Sequence, residues 1–179
     1  MKWKNIDAGP SYYHITATLT EWLPLLRQDD IRRAVCHEIK LAMGRFGVSL
    51  NAFVIMPDHL HLVVAVMEDE QIHQFLKCWR GRSARHIIDM LIRQSDLGSL
   101  AVMARHANGG CRYAAWKEQA RAQSLPSKTM LLQRIEYVHA NPVRAGLVEL
   151  VSDWEHSSWN WYDSGKRVEL PVTPPEDFI

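Results

Sequence analysis

Hydrophobic and polar positions change their spacing along the chain, and each spacing predicts one type of secondary structure. Residues 11–20 alternate β-branched or aromatic residues with smaller ones, which is typical of a strand. In residues 31–46 the apolar positions recur every three or four residues. This spacing predicts an amphipathic helix that is capped by Asp29 or Asp30 and ends at Gly47.

A hairpin and a second helix follow. Residues 49–56 and 59–67 are rich in β-branched and apolar residues, and only a Pro-Asp pair separates them, so we predict two strands joined by a tight turn. Residues 70–94 return to helical spacing, with one interrupting glycine at position 81. The order up to this point is strand, helix, strand, strand, helix.

The next part of the chain has a weaker pattern. Residues 95–110 resemble an irregular insertion, and residues 113–125 are expected to hold one or two short strands. A third helix is predicted to start at a Ser127 cap and to end near Asn141, because Pro142 disfavours helical geometry at the residue before it.

The whole order, βαββαβ, predicts the α+β class: a ferredoxin-like antiparallel sheet with helices on one face and an additional C-terminal helix that carries Tyr137. We expect a single domain over residues 1–179, with a core at about 11–150 and an extension at 151–179.

Composition excludes several classes of protein. The chain has 179 residues, of which 47% are hydrophobic and 23% charged, so it can bury a core without disulfides or a structural metal. No apolar run approaches the roughly 20 residues of a membrane span, and the polar start lacks the apolar stretch of a signal peptide, so we expect a cytoplasmic protein. The three cysteines are far apart and are predicted to be reduced and buried: Cys36, Cys78 and Cys111.

A net charge of +1 hides a strongly basic middle. Residues 77–134 hold 11 basic residues against 3 acidic ones, and both ends of the chain are acidic. Basic residues interleaved with aromatic ones are typical of a nucleic-acid surface, although a solvated helix face has the same pattern. The residues we predict to contact DNA are Arg80, Arg82, Arg85, Trp116, Lys128 and Arg134.

Two pairs of side chains suggest a catalytic site. A strand's period of two places His59 and His61 on one face, and four-residue spacing places Tyr137 and Asn141 on one face of the third helix. If these faces meet, two imidazoles and an amide oxygen form an open ligand set for Mg²⁺ or Mn²⁺, with a phenol beside it as a nucleophile for phosphoryl transfer. The alternative is a structural histidine pair and a packed tyrosine.

Around these residues the sequence resembles a known family. The segments NAFVIMPDHLHLVV, residues 51–64, and RIEYVHANPVRAGLV, residues 134–148, closely resemble the two signature motifs of REP-associated tyrosine transposases, which are relatives of the single-tyrosine insertion-sequence transposases in the HUH endonuclease superfamily. The resemblance extends over roughly residues 11–162 and includes YHIT in the first strand and SDWEHSSW after the second motif.

The resemblance implies an enzyme of DNA transposition and recombination. Such a protein binds single-stranded or hairpin DNA at REP-like repeats, cleaves one strand through a 5′-phosphotyrosine and then reseals it. By the same resemblance, Tyr137 is the nucleophile, His59 and His61 are metal ligands, and Asn141 takes the position of a third ligand that is Gln in some relatives.

Other interpretations remain open at this point. A domesticated module could bind hairpin DNA without cutting it, and a zinc hydrolase could use the two histidines, although an acidic third ligand is not evident. We expect a monomer, with a dimer of exchanged tyrosine helices as the alternative. The acidic tail PPEDFI, residues 174–179, is expected to fold across the basic surface.

Overall fold

Four antiparallel strands form the sheet that positions the rest of the protein. The computed structural model describes residues 9–118 and 120–175. The strands are β1 (Ser11–Thr18), β2 (Ser49–Ile55), β3 (His59–Val66) and β4 (Arg121–Ser124), in the spatial order β2-β3-β1-β4. The predicted α+β class with an antiparallel sheet is confirmed.

Within the described residues, five α-helices accompany the sheet: α1 (Asp29–Phe46), α2 (Glu70–Arg93), α3 (Leu97–Arg105), α4 (Lys128–Arg144) and α5 (Trp159–Ser164). Helices α1 and α2 pack together on one face of the sheet, whereas α4 packs on the opposite face. The chain order is therefore βαββαβ with α3 inserted before β4, and the tyrosine-bearing helix lies apart from the first two helices.

The two faces of the sheet bury different side chains because neighbouring strand residues point in opposite directions. Towards α1 and α2, the strands contribute a fully apolar layer that includes Ile15, Phe53 and Leu62. Towards α4, strands β2 and β3 supply apolar residues such as Val54 and Val63. Strand β1 and the start of β3 present polar residues to this second face, so the apolar packing of α4 borders a polar region.

Helix α1 begins one or two residues earlier than the two predicted caps, Asp29 and Asp30, would place it. Its N-cap is Gln28, and both Asp29 and Asp30 lie in the first turn, so the predicted aspartate cap is wrong. The carboxylates there form ion pairs with Arg32 and Arg33 and oppose the positive end of the helix dipole. The C-terminal end agrees with the prediction, because Gly47 adopts the left-handed conformation with φ of 62°.

Helix α4 passes through Pro142 instead of ending before it. Ser127 caps the helix as predicted, since its hydroxyl accepts a hydrogen bond from the Met130 N–H. Pro142 lies in the last turn, where the backbone hydrogen bonds that follow it are closed by the N–H groups of Ala145 and Leu147, which donate to Asn141 and Pro142. A proline so close to the end of the helix therefore removes little of the hydrogen-bond ladder.

The stretch predicted as an irregular insertion contains a helix. Helix α3 starts after Asp96, whose carboxylate accepts hydrogen bonds from the N–H and the hydroxyl of Ser99, at 3.0 and 2.7 Å. The helix has only nine residues and buries only Leu100 and Met103 fully, so its sequence periodicity is short. The prediction failed because one capping residue, not a long apolar stripe, defines this helix.

The segment after α4 covers the outer edge of β2. The N–H of Ile55 donates to the His156 carbonyl at 2.8 Å, the Ser158 N–H donates to the Phe53 carbonyl at 2.9 Å, and the Thr173 N–H donates to the Leu50 carbonyl at 2.8 Å. These bonds satisfy backbone groups that an edge strand otherwise leaves open to another chain. The expected position of the acidic tail concerns Glu176 and Asp177, which lie outside the described residues.

Ser158→Ala is expected to destabilise the protein by about 1–3 kcal/mol. The Ser158 hydroxyl is fully buried, accepts a hydrogen bond from the Phe53 N–H at 2.9 Å and lies 2.7 Å from Nε2 of His139. Alanine leaves these two buried groups unsatisfied. Urea denaturation should show a lower midpoint than wild type, whereas Ser164→Ala, at an exposed position in the same region, should change it little. Equal midpoints for both variants would contradict this account.

All three cysteines are free, but only Cys36 is buried. Cys78 is half-buried, and Cys111, in a loop after α3, is exposed, so the prediction of three buried thiols is correct only for Cys36. Within the described residues, none of the helices has the length and apolar character needed to cross a membrane.

Candidate active site

Polar side chains of β1 and β3 form a cluster on the sheet face that α4 covers. The antiparallel register places Thr16 opposite His61 and Thr18 opposite His59. Because side chains on a strand alternate, His14 and Thr16 lie on the same face as the two histidines of β3. The ring centroids of His59 and His61 are 5.0 Å apart, and those of His14 and His61 are 5.1 Å apart. The cluster is therefore three imidazoles and a hydroxyl.

Hydrogen bonds orient both histidines of β3 through the same ring nitrogen. Nδ1 of His59 lies 2.6 Å from Oδ1 of Asp58. Nδ1 of His61 lies 3.0 Å from Oγ1 of Thr16 and 3.1 Å from Nε2 of His14. If each Nδ1 carries the proton, it donates to these neighbours and leaves the Nε2 lone pair for a metal, which is the usual arrangement of metal-binding histidines.

Burial keeps two of these imidazoles uncharged. His61 is 5% exposed, and burial, together with the nearby His14, His59 and Arg134, lowers its pKa to about 3. Burial and the charge of Arg134 lower the pKa of His14 to about 4. Both rings are consequently neutral at neutral pH. A neutral imidazole has the free lone pair that coordination requires.

Helix α4 places Tyr137 beside this cluster. Ile135 and Val138 anchor the helix in the apolar layer on β2 and β3. The Tyr137 ring, on the next part of the helix surface, then lies 5.7 Å from the His61 ring and 6.1 Å from the His14 ring, with edge-to-face geometry. The structure thus brings Tyr137 of this helix face together with the histidine face.

Two guanidinium groups flank the Tyr137 ring. Arg134 lies 5.1 Å and Arg144 5.5 Å from the ring centroid. Residues 134, 137, 141 and 144 are spaced by three or four along α4, so they form one stripe on the helix. The phenol therefore lies between two permanent positive charges, which favour an approaching phosphate group.

Asn141 lies on the same stripe, one turn after Tyr137. Its side-chain Nδ2 donates to the Tyr137 backbone carbonyl at 2.7 Å, which leaves Oδ1 as the oxygen for coordination. Among the described residues, no cluster of three or more His, Cys, Asp or Glu side chains could hold a metal ion. The donors that would hold a metal ion here are the Nε2 atoms of His59 and His61, with Asp58 supporting His59, and the Oδ1 atom of Asn141.

Comparisons with known proteins place this chain in a family. The sequence profile described as "Transposase IS200 like" matches residues 9–98. This match covers half of the chain. The chain belongs to the IS200-like transposase family.

Individual relatives of this IS200-like transposase agree with the resemblance found in the sequence motifs. A Haemophilus influenzae protein assigned as a REP-associated tyrosine transposase is 23% identical over 109 residues, which are 61% of this chain and 57% of that protein. The match thus spans little more than half of the relative's length. The profile match contains His14, His59 and His61 but ends before Tyr137.

Solved structures share the fold. A REP-associated tyrosine transposase bound to a REP hairpin superposes with a TM-score of 0.60, at 16% identity over 98% of this chain and 95% of that one. A protein of Deinococcus radiodurans assigned as a transposase superposes with a TM-score of 0.52, at 20% identity over 77% of this chain and 95% of that one. The fold of this IS200-like transposase is therefore shared with these two structures.

Intramolecular contacts in this family member occupy Trp116, Arg80 and Arg82, which the sequence predicts to contact DNA. Trp116 is 6% exposed, packs edge-to-face on Trp79 and donates its indole N–H to Ser83 at 3.0 Å. Because both faces of a buried ring are occupied by protein, base stacking on Trp116 has no support in the structure. Arg80 donates to the backbone carbonyls of Lys117 and Glu118, so it braces the loop before β4.

Arg82 is held by a buried carboxylate. Its guanidinium pairs with Glu38 at 2.5 Å, and His86 lies 3.0 Å from the same carboxylate. Burial alone would raise the pKa of Glu38, but the hydrogen bonds from Arg82 and His86 outweigh it and lower the pKa. Arg82 therefore compensates the charge of Glu38, whose side chain is only 2% exposed. A contact between Arg82 and a DNA phosphate would compete with this ion pair.

The other predicted DNA contacts differ in position. Arg85 is exposed on α2, and Lys128 is exposed at the first turn of α4. Arg134 is half-buried, contacts Gln123 of β4 at 3.4 Å and flanks Tyr137. Of the predicted set, only Arg134 lies at the histidine–tyrosine cluster through contacts that the structure records.

Sequence reasoning missed three members of the cluster. The sequence pattern places Asp58 in the turn between two strands and assigns it no other role, but its carboxylate lies within hydrogen-bond distance of the His59 ring. It did not assign roles to His14 and Thr16, which have the same two-residue spacing as the histidine pair. That spacing was the available signal, although only the strand register shows that it faces His61.

Proposed function

We propose that this IS200-like transposase is a metal-dependent DNA strand transferase that cleaves single strands at REP-like hairpins through a covalent 5′-phosphotyrosine at Tyr137. The observation that carries the proposal is the contact of the Tyr137 ring with His61, at 5.7 Å, inside a cluster that also contains His59 and two guanidiniums. A relative is named as a REP-associated tyrosine transposase, and a structural neighbour is bound to a REP hairpin.

The cleavage step transfers a phosphoryl group from the 3′ oxygen of one nucleotide to the phenol oxygen of Tyr137. The Tyr137 phenol oxygen attacks the scissile phosphorus, the bond to the 3′ oxygen breaks, and the phenol proton is balanced by protonation of the departing 3′ oxygen. The products are a 5′-phosphotyrosine and a free 3′-hydroxyl. Attack of a 3′-hydroxyl on the phosphotyrosine reverses the step and reseals the strand.

The residues around Tyr137 have distinct parts in this reaction. His59 and His61 would hold the ion through Nε2, with Asn141 as the third candidate ligand, and Asp58 and Thr16 keep the two rings oriented. When bound, Mg²⁺ or Mn²⁺ supplies Lewis-acid charge to a phosphate oxygen. Arg134 and Arg144 compensate the negative charge of the phosphodiester and of the phenol oxygen as its proton leaves.

The test is a denaturing gel of labelled hairpin DNA with single-stranded flanks, incubated with the protein and Mn²⁺ or Mg²⁺. We expect a slowly migrating DNA species in which the protein is linked to the fragment whose 5′ end was created by the cut. Protease treatment should remove this species, and a chelator should prevent its formation. Tight hairpin binding without any linked species, over a panel of repeats from the host genome, would support the silent binding module instead.

Arg144→Ala is expected to slow adduct formation about tenfold while hairpin affinity changes by less than about threefold. The reason is that Arg144 contacts the ring of the nucleophile and compensates charge that grows during the reaction. Single-turnover gel kinetics would give the rate, and fluorescence anisotropy the affinity.

Arg144→Lys should recover part of the rate because the charge remains, and Arg167→Ala, which removes an exposed arginine outside the cluster, should behave as wild type. A parallel loss of rate and affinity in Arg144→Ala would assign Arg144 to general DNA binding instead.

A further inference from the structure

A strained turn after β1 exposes a tryptophan. In the segment Thr20–Trp22, both Glu21 and Trp22 have left-handed backbone conformations, with φ of 50° and 53°. Residues with a Cβ rarely adopt this conformation, and two in succession are unusual unless neighbouring contacts enforce them. The turn directs Trp22 to the surface, where it is 57% exposed although it is one of the largest apolar side chains.

Hydrogen bonds from outside the turn hold this conformation. The Thr20 N–H donates to the Ala115 carbonyl at 2.9 Å, and the Thr20 hydroxyl donates to the Ala114 carbonyl at 2.6 Å. The Leu19 N–H donates to the Asp58 carbonyl at 2.8 Å. The turn is therefore fixed both to the loop before β4 and to the residue that orients His59.

The ammonium group of Lys117 lies over the ring of the exposed Trp22. Nζ of Lys117 is 2.9 Å from the centroid of the Trp22 ring, and the Lys117 N–H donates to the Thr18 carbonyl at 2.9 Å. A cleft of about 300 Å³ adjoins the turn and is lined by residues that include Glu21, His106 and Lys117. The turn thus carries an exposed aromatic ring, the loop before β4 places a cation against that ring, and a cleft lies beside both segments.

The turn and Lys117 lie at the end of the sheet that carries His59, the first of the two candidate metal ligands. Thr18 is paired with His59 in the strand register, and Trp22 follows four residues later. We propose that Trp22 and Lys117 form a stacking platform for one unpaired nucleobase of the DNA strand next to the hairpin. The chemistry fits because a base can stack on the indole face opposite the one that Lys117 covers, while the ammonium group compensates a neighbouring phosphate.

This inference rests on the proposed function, since it assumes that DNA reaches the site as a strand with unpaired nucleotides. It assigns to Trp22 a role that the buried Trp116 cannot fill. It also explains the strained backbone. A relaxed turn would let the indole fold onto the protein surface and bury the ring face that a base needs.

The test measures binding with a chelator present, so that no cleavage contributes. The probes are a blunt hairpin, the same hairpin with a four-nucleotide single-stranded extension on the 5′ or the 3′ side, and extensions in which each nucleotide in turn is abasic. We expect Trp22→Ala to weaken binding of one extended hairpin about tenfold, which corresponds to the energy of one stacked base, and to leave the blunt hairpin within about twofold.

Trp22→Phe should keep most of the affinity, and Leu150→Ala, at another exposed large apolar residue, should have no effect. The decisive comparison is the abasic series: one abasic position should weaken binding to the wild-type protein and not to Trp22→Ala, which needs no assumption about how the variant folds. An equal abasic penalty in both proteins would overturn the platform, as would an equal loss for blunt and extended hairpins.

The two proposals fail in different ways. Normal Trp22-dependent binding without a covalent adduct would overturn the proposed strand transfer and leave the platform in place. A normal adduct with no effect of Trp22 would overturn the platform alone.

Discussion

Tyr137→Phe is expected to lower the formation of the covalent DNA adduct by a factor of about 1,000 or more and to leave hairpin affinity within about twofold of wild type. Phenylalanine keeps the ring that packs on His14 and His61 and that both guanidiniums contact, so the cluster retains its shape. Only the phenol oxygen is lost. The adduct is read on a denaturing gel with labelled hairpin, and the affinity by anisotropy.

A matched control is Tyr113→Phe. Tyr113 also has a guanidinium over its ring, that of Arg112 at 5.2 Å, but it lies in the loop before β4, away from the histidines. This control should form the adduct at the wild-type rate. An adduct that persists in Tyr137→Phe would show that another side chain is the nucleophile, and a hydrolysed product without an adduct would favour a hydrolase that uses the two histidines.

His61→Ala is expected to lower adduct formation about 100-fold or more and to remove the response of the reaction to Mn²⁺. His61 is the buried member of the histidine pair, and its imidazole is neutral at neutral pH because burial lowers its pKa to about 3. Rates should be measured over a series of Mn²⁺ concentrations, and metal binding by calorimetry in the absence of DNA.

Two further variants separate coordination from packing. His14→Ala should cost less, about tenfold, because His14 touches Nδ1 of His61 and would act by orienting the ring. His37→Ala removes an exposed imidazole of α1 and should change neither rate nor metal binding. If His61→Ala binds Mn²⁺ as the wild-type protein does, the ion is held elsewhere and the assigned ligands are wrong.

Local pattern and short-range spacing account for the parts of the structure that the sequence predicts well. The hairpin, α1, α2 and the cap at Ser127 each depend on residues within a few positions of one another. The pairing of His59 with His61 depends on the strand period alone. The family motifs then add the relation between this strand and Tyr137, which no local pattern contains.

The remaining features depend on distant contacts. Trp116 is an aromatic residue in a basic stretch, as a base-stacking residue would be, and only its packing against Trp79 and Ser83 shows that it is a core residue. Arg82 belongs to a basic stretch, but its partner Glu38 lies 44 positions away on another helix. His14 faces His61 because of a register between strands 47 positions apart. None of these relations follows from charge or periodicity.

The covered edge of β2 has a consequence for synthesis on the ribosome. Strand β2 is made early, but the groups that pair with its outer edge, at residues 156, 158 and 173, emerge about 100 residues later. Until then the nascent chain exposes an open strand edge that neighbouring chains can pair with. The buried contact between Ser158 and His139 of α4 also forms only at that stage. Assembly of the tyrosine helix onto a closed sheet is therefore a late event, and ribosome stalling before residue 156 should yield chains that aggregate.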